Sequence, residues 1–169
     1  MQLRWIVLFV ALTTSHLIHG QTLSGQVFIL SEQYDENKCE VVALCDCCAT
    51  DLFFINKKEF VMVSRCLFDN TFSKGKYRIK NNLLTLKYNK IHISEKTDEQ
   101  TGKVTHVVEK SNIEKSDFEI NTCGKKLRLH HTAIPEFKNG MQYEQSKEKQ
   151  LKSELLKSKA WKLLGKKQS

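Results

Sequence analysis

The chain has 169 residues, 27% of them charged, and a formal net charge of +8. That length suffices for one domain with a real core, and no segment after the first twenty residues is apolar for long enough to span a bilayer. The charge is uneven, because residues 138–169 hold nine lysines and three glutamates while the rest, without Arg4, balances 17 basic against 16 acidic residues.

Residues 1–20 place Arg4 ahead of the apolar run Trp5 to Leu12 and end on Gly20. This is the form of a secretory leader, with cleavage expected after Gly20 to leave Gln21 at the new N-terminus. Ile18 is larger than the small residue usual at the −3 position. The expected destination is secreted or periplasmic. An exported protein rarely meets nucleic acid, and the aromatics do not alternate with the basic residues as a stacking platform requires. The basic tail therefore reads as a solvated, lysine-rich helix.

Residues 25–31 and 39–45 read as short strands, with the polar stretch Glu32 to Lys38 as a loop between them. The runs 52–55 and 60–63 flank Asn56-Lys57-Lys58-Glu59 as a hairpin. Both runs are continuously apolar, which suits burial on both faces. Residues 66–74 mix polar and aromatic side chains and read as a loop. The clearest element is 75–88, where Tyr77 and Ile79 alternate with Arg78 and Lys80, and Leu84, Leu86 and Tyr88 with Thr85 and Lys87. Asn81-Asn82 between them tolerate the positive φ of a tight hairpin turn. Further strands are expected at 91–93, 104–108, 118–123 and 127–131, with a turn at Thr101-Gly102 and another at Cys123-Gly124. Pro135 marks the expected end of the β domain, at 21–135. From Met141 to Leu164 the residue types favour helix. The apolar residues Leu151, Leu155, Leu156, Ala160, Trp161, Leu163 and Leu164 cover most of the helical circle, unlike the sharp stripe of a membrane-surface helix. The pattern predicts an all-β antiparallel meander, closed as a barrel or sandwich, with a linker and basic helix over 136–169.

Six cysteines, Cys39, Cys45, Cys47, Cys48, Cys66 and Cys123, follow the leader. An even count in an exported chain reads as disulfides. The register of the 52–63 hairpin brings Cys48 opposite Cys66 if Ile55 and Phe60 are shifted one residue from facing each other, with Cys47–Cys66 as the next choice. Cys123 then needs a partner from the 39–48 group. The alternative is a thiolate site for Zn²⁺ or Cu⁺ built from Cys45, Cys47, Cys48 and Cys66, although the paired C-x-x-C spacing of structural zinc sites is missing. Folding strands 90–94 and 104–108 about Glu99 would set His92 opposite His106 as paired metal ligands, but Val104 and Val108 would then share their outer face, so these histidines read by default as ordinary surface residues.

No G-x-S-x-G, H-E-x-x-H, P-loop or dinucleotide fingerprint occurs, so no catalytic residue and no cofactor is expected. The unit G-K-Y-R-I-K-N-N-L-L-T-L-K-Y at 75–88, the C-G-K-K-L-R-L at 123–129 and the apolar hairpin ending in Arg65-Cys66 resemble small exported lipocalin-like β proteins of the Bacteroidetes, over roughly residues 25–131. Gly25-Gln26-Val27 stands where lipocalins carry G-x-W. The resemblance brings no general activity with it. The expectation is a non-enzymatic module that binds a small apolar ligand or an envelope protein. Tyr77, Ile79, Leu84 and Leu86 would line a ligand if the barrel holds one, and otherwise read as plain core.

Overall fold

The computed structural model describes residues 22–30, 33–35, 37–43, 48–132, 141–143 and 148–165. The leader with its cleavage point, Cys45, Cys47 and Pro135 lie outside the described residues. The strands are β1 (Val27–Leu30), β2 (Gln33–Asp35), β3 (Glu40–Ala43), β4 (Cys48–Phe54), β5 (Glu59–Cys66) and β6 (Asp69–Lys80). They continue as β7 (Leu83–Thr97), β8 (Val104–Lys110), β9 (Lys115–Cys123), β10 (Lys126–His131) and β11 (Met141–Tyr143). Two helices follow, α1 (Glu148–Lys157) and α2 (Lys159–Gly165).

The pairings run β1–β4–β5–β6–β7–β9–β10–β11 and return to β1, all antiparallel. This is a barrel-like meander closed by β11. Strands β2 and β3 form a separate ribbon. Strand β8 stands outside the ring, paired to the second half of β7.

Alternation within each strand divides the apolar residues between two cores. The inner core draws Phe28, Leu52, Phe54, Phe60, Leu84, Leu86, Phe118, Ile120 and Leu129 from strands all round the ring. Their neighbours Val27, Phe53, Val61, Val63, Phe72 and Ile93 point outward and are buried against Leu151 and Leu155 of α1 and Ala160 and Leu164 of α2. The 52–63 hairpin is thus buried on both faces, as its unbroken apolar runs require.

The turns follow local chemistry. Asn81 and Asn82 hold φ of 50° and 61°, which fits a two-residue hairpin turn of the primed kind. At the β4–β5 turn the Asn56 carbonyl Oδ1 accepts from the amides of Lys58 and Glu59. At the β7–β8 turn Asp98 Oδ1 accepts from the Gln100 and Thr101 amides and the Thr101 hydroxyl, and Gly102 takes φ of 65°.

Four expectations need correction. Residues 69–74, expected as loop, begin the long β6, because their outward Phe72 is paired between Val63 and Ile93. Gln33–Asp35, within the expected loop 32–38, pairs with β3. Met141–Tyr143, expected as helix, is the strand that closes the ring between β10 and β1, so the sheet runs past residue 135. The single helix expected to Leu164 breaks at Ser158, whose hydroxyl caps α2 by accepting from the Trp161 amide at 3.0 Å. Leu151 and Ala160 are nine residues apart, about half a turn out of phase on one continuous helix. The break brings both onto the sheet.

β6 and β7 bend at an irregularity between Ser73 and Gly75. A Cβ on Gly75 would overlap the Lys87 carbonyl oxygen and come within 2.8 Å of the Phe60 ring. Gly75→Ala is expected to cost about 3 kcal/mol by urea unfolding, the upper end for overpacking. Gly102→Ala, in open space but at positive φ, should cost only about 1 kcal/mol.

Candidate functional site

The inward side chains of the ring strands pack against one another. Leu84 and Leu86 are fully buried, and Tyr77 and Ile79 pack against the same cluster. Phe28, Phe54 and Tyr77 follow one another edge to face, at 5.7 and 4.7 Å between ring centres. Phe60 meets Tyr88 in the same way at 5.1 Å. The Tyr77 hydroxyl donates to the Asn56 carbonyl at 2.9 Å, and burial pushes the phenols of Tyr77 and Tyr88 above their ordinary pKa. The four residues nominated to line an interior ligand are therefore structural core.

Space lies instead on the outer wall. A cavity of about 290 Å³ opens between the sheet and the helices, lined by Gly25, Phe53 and Ile55 from the barrel and by Glu148, Lys149, Lys152, Leu155, Leu156 and Trp161 from the helices. Phe53 reaches it because it is the outward residue between the inward Leu52 and Phe54. Glu148, Lys152, Leu155 and Leu156 reach it because spacings of four, seven and eight residues share one helical face. Trp161 stands opposite, with the Lys74 ammonium 5.4 Å from its ring centre. The walls are mainly apolar, and Lys149 and Lys152 are exposed. The lining thus sets an apolar wall beside two ammonium groups and the one carboxylate of Glu148.

Arg65 ties the helices to the wall. Its guanidinium pairs with the buried Asp51 of β4 on one side and with Glu154 of α1, at 3.3 Å, on the other. A second cavity of about 170 Å³ follows this seam, between Arg65, Asn70, Glu95 and Glu154. Asn70 donates to Glu95 across it at 2.9 Å.

The cysteines serve the scaffold. Cys48 is joined to Cys66 and Cys39 to Cys123. Phe54 faces Phe60, one residue off the Ile55–Phe60 alignment, and this places Cys48 opposite Cys66. The proposed four-thiolate set loses Cys48 and Cys66 to that bond, while Cys45 and Cys47 lie outside the described residues.

The histidine pair is not formed. His92 faces Glu109 and His106 faces Glu95, because the Asp98 turn closes three residues away from the register that would pair the two rings. Among the described residues no group of three or more His, Cys, Asp or Glu side chains is arranged to hold a metal. The Ser94 hydroxyl, and after it the His92 ring, hold the Glu109 carboxyl below its ordinary pKa.

Comparison of the chain with protein families, with curated proteins and with solved structures finds no match. What the outer cavity does must be argued from its own residues. The signals for it in the sequence were the outward Phe53, the unbroken apolar run around it and the lone Trp161 in a lysine-rich helix.

The disulfides and the Glu109 contacts can be tested. Their sequence separations of 18 and 84 residues give chain-entropy contributions of about 3 kcal/mol for Cys48–Cys66 and about 4.5 kcal/mol for Cys39–Cys123. Urea unfolding of the two paired Cys→Ser variants should show losses in that order. Glu109 has a depressed folded pKa, so its contribution is present above the unfolded value of about 4.5 and fades as pH falls through the folded one. Glu109→Gln should therefore lose less melting temperature between pH 5 and pH 3 than the parent chain.

Proposed function

We propose that the chain is an exported, non-enzymatic binding module for a small amphiphile, a ligand with an apolar body and an anionic head. The observation that carries this reading is the outer cavity. Phe53, Ile55, Leu155, Leu156 and Trp161 supply its apolar lining, and Lys149 and Lys152 supply two cations against the one carboxylate of Glu148 at the same place. Ligand pockets commonly combine an apolar lining with a few placed polar groups, and this volume suits a small ligand.

Several features support the rest of the reading. Two disulfides suit an oxidising compartment, in line with the leader expected at residues 1–20. No helix among the described residues is long and apolar enough to cross a membrane. The eight-strand meander with helices on its outer wall supports a lipocalin-like assignment. The packed inward side chains favour a ligand on the outside of the barrel over one at its centre.

Trp161 makes the test direct, since the other tryptophan, Trp5, lies in the expected leader. Titrating the exported chain with decanoate should change Trp161 fluorescence and give a saturable heat by calorimetry, while decanol should bind more weakly. The paired substitution Lys149→Glu with Lys152→Glu should weaken decanoate binding about tenfold, the sum of two screened ion pairs of about 0.7 kcal/mol each. Absence of both fluorescence change and heat, or equal affinity in the charge-reversed variant, would refute this assignment.

A further inference from the structure

Among the described residues, strand β8 has a partner on one side only. It pairs with β7 from Ile91 to Thr97, and β9 takes up the same side of β7 at Leu83–Lys87. Among the described residues no strand pairs with the other edge of β8. Exposed edges invite pairing, and soluble proteins usually blunt them with proline, bulges or dense charge. β8 has no proline, and its register with β7 is unbroken over seven residues. Val104, Val107 and Val108 are 47%, 43% and 53% exposed along it.

The apolar surface here continues a buried row. Val63, Phe72, Ile93 and Val108 lie side by side across four strands. The first three are covered by the helices, and the row emerges at Val108.

A symmetric antiparallel seam between two copies must be centred on one residue facing itself, so that outward backbone groups meet outward ones. Centring on His106 sets Lys103 against Glu109, Val104 against Val108 and Thr105 against Val107, each twice. Centring on Val107 would instead set Val104 against Lys110. Centring on Thr105 would set Lys103 against Val107, and centring on Val108 would set His106 against Lys110. Only the His106 register matches opposite charges and joins the exposed valines. The groups are also held ready for it. Glu109 is fixed by Ser94 at 2.7 Å and His92 at 3.0 Å. The His106 ring, with its side chain 9% exposed, lies 2.9 Å from Glu95 on its own subunit, which keeps it from crowding the axis.

We propose that β8 is the seam of a symmetric dimer, in which a second copy of this chain adds its β8 antiparallel, centred on His106, and the row Val63–Phe72–Ile93–Val108 runs on into the partner's Val104. The seam would join two closed sheets edge to edge. It lies on the far side of β7 from the ring strand β6, so it is independent of the ligand cavity.

Sedimentation equilibrium of the exported chain should show a concentration-dependent mass approaching two chains. Val108→Lys and Lys103→Glu, both at exposed positions, should each raise the dimer dissociation constant at least about tenfold. Lys125→Glu, at the exposed β9–β10 turn, should leave it unchanged. The centre is read by introducing one cysteine at a time, after circular dichroism has shown each variant folded. His106→Cys should give a covalent dimer on a non-reducing gel faster than Thr105→Cys or Val107→Cys. A chain that stays monomeric to its solubility limit overturns the proposal. So does a dimer indifferent to both Val108→Lys and Lys103→Glu, faster crosslinking at position 105 or 107, or an edge occupied by a different protein while the chain alone remains monomeric.

Discussion

The structure depends on the hairpin of β4 and β5 being apolar on both faces. Leu52, Phe54 and Phe60 fill the barrel, and Phe53, Val61 and Val63 form the floor on which the helices rest. Each fully buried side chain of this kind contributes about 1.5–3 kcal/mol before the entropy of ordering is set against it. A hairpin with an ordinary polar outer face would still close a barrel. It would give α1 and α2 nothing to cover, and the outer cavity would not exist. The inner face therefore determines the fold and the outer face determines where the cavity lies.

The helical segment shows how tertiary packing uses a sequence that looks unsuited to it. Its apolar residues are spread round the helical circle, so no straight helix could bury them all. Breaking at Ser158 turns α2 so that Ala160 and Leu164 face the same wall as Leu151 and Leu155. Arg65 then fixes the position of α1, sharing its charge between the buried Asp51 and the more exposed Glu154. The lysines left on the open side give the tail its charge. Two of them, Lys149 and Lys152, stand at the cavity, so a surface that reads as mere solubility also supplies its cations.

Much of the fold was legible because its signals are local. Asn81-Asn82, Asn56 and Thr101-Gly102 each carry turn chemistry in their own side chains or backbone. Cys48 opposite Cys66 was within one residue of what counting outward from one hairpin gives. What was misread depends on distant partners. Met141–Tyr143 lies among helix formers and becomes a strand only because β1 and β10 leave a gap that it fills. Residues 69–74 look like loop until Val63 and Ile93 flank Phe72. The His92–His106 pairing failed by a register shift that the Asp98 turn decides, and alternation alone cannot fix a register when both faces carry polar residues. The cavity left signals at Phe53 and Trp161 separately, but nothing in the sequence joined them, since they are more than a hundred residues apart.

The length of β7 links the remaining features. At 15 residues it is far longer than the ring needs, and it belongs to two structures in turn. Leu83–Lys87 is a barrel stave between β6 and β9, whereas Ile91–Thr97 lies between β6 and β8 beyond the ring. The bend at Gly75 on β6 accommodates the change, where only a residue without a side chain lets the Lys87 carbonyl and the Phe60 ring approach. This overhang gives the helices more wall than the barrel alone offers, with Ile93 at its buried end. It also carries the sheet out to β8, where the helices no longer reach and the valines stand exposed. A covered outer wall and an uncovered edge are thus two consequences of one overlong hairpin. Shortening β7 and β8 together would move the open edge to Asp69–Ser73 of β6 and leave the inward residues Leu84 and Leu86 in place, because they lie wholly in the first half of β7.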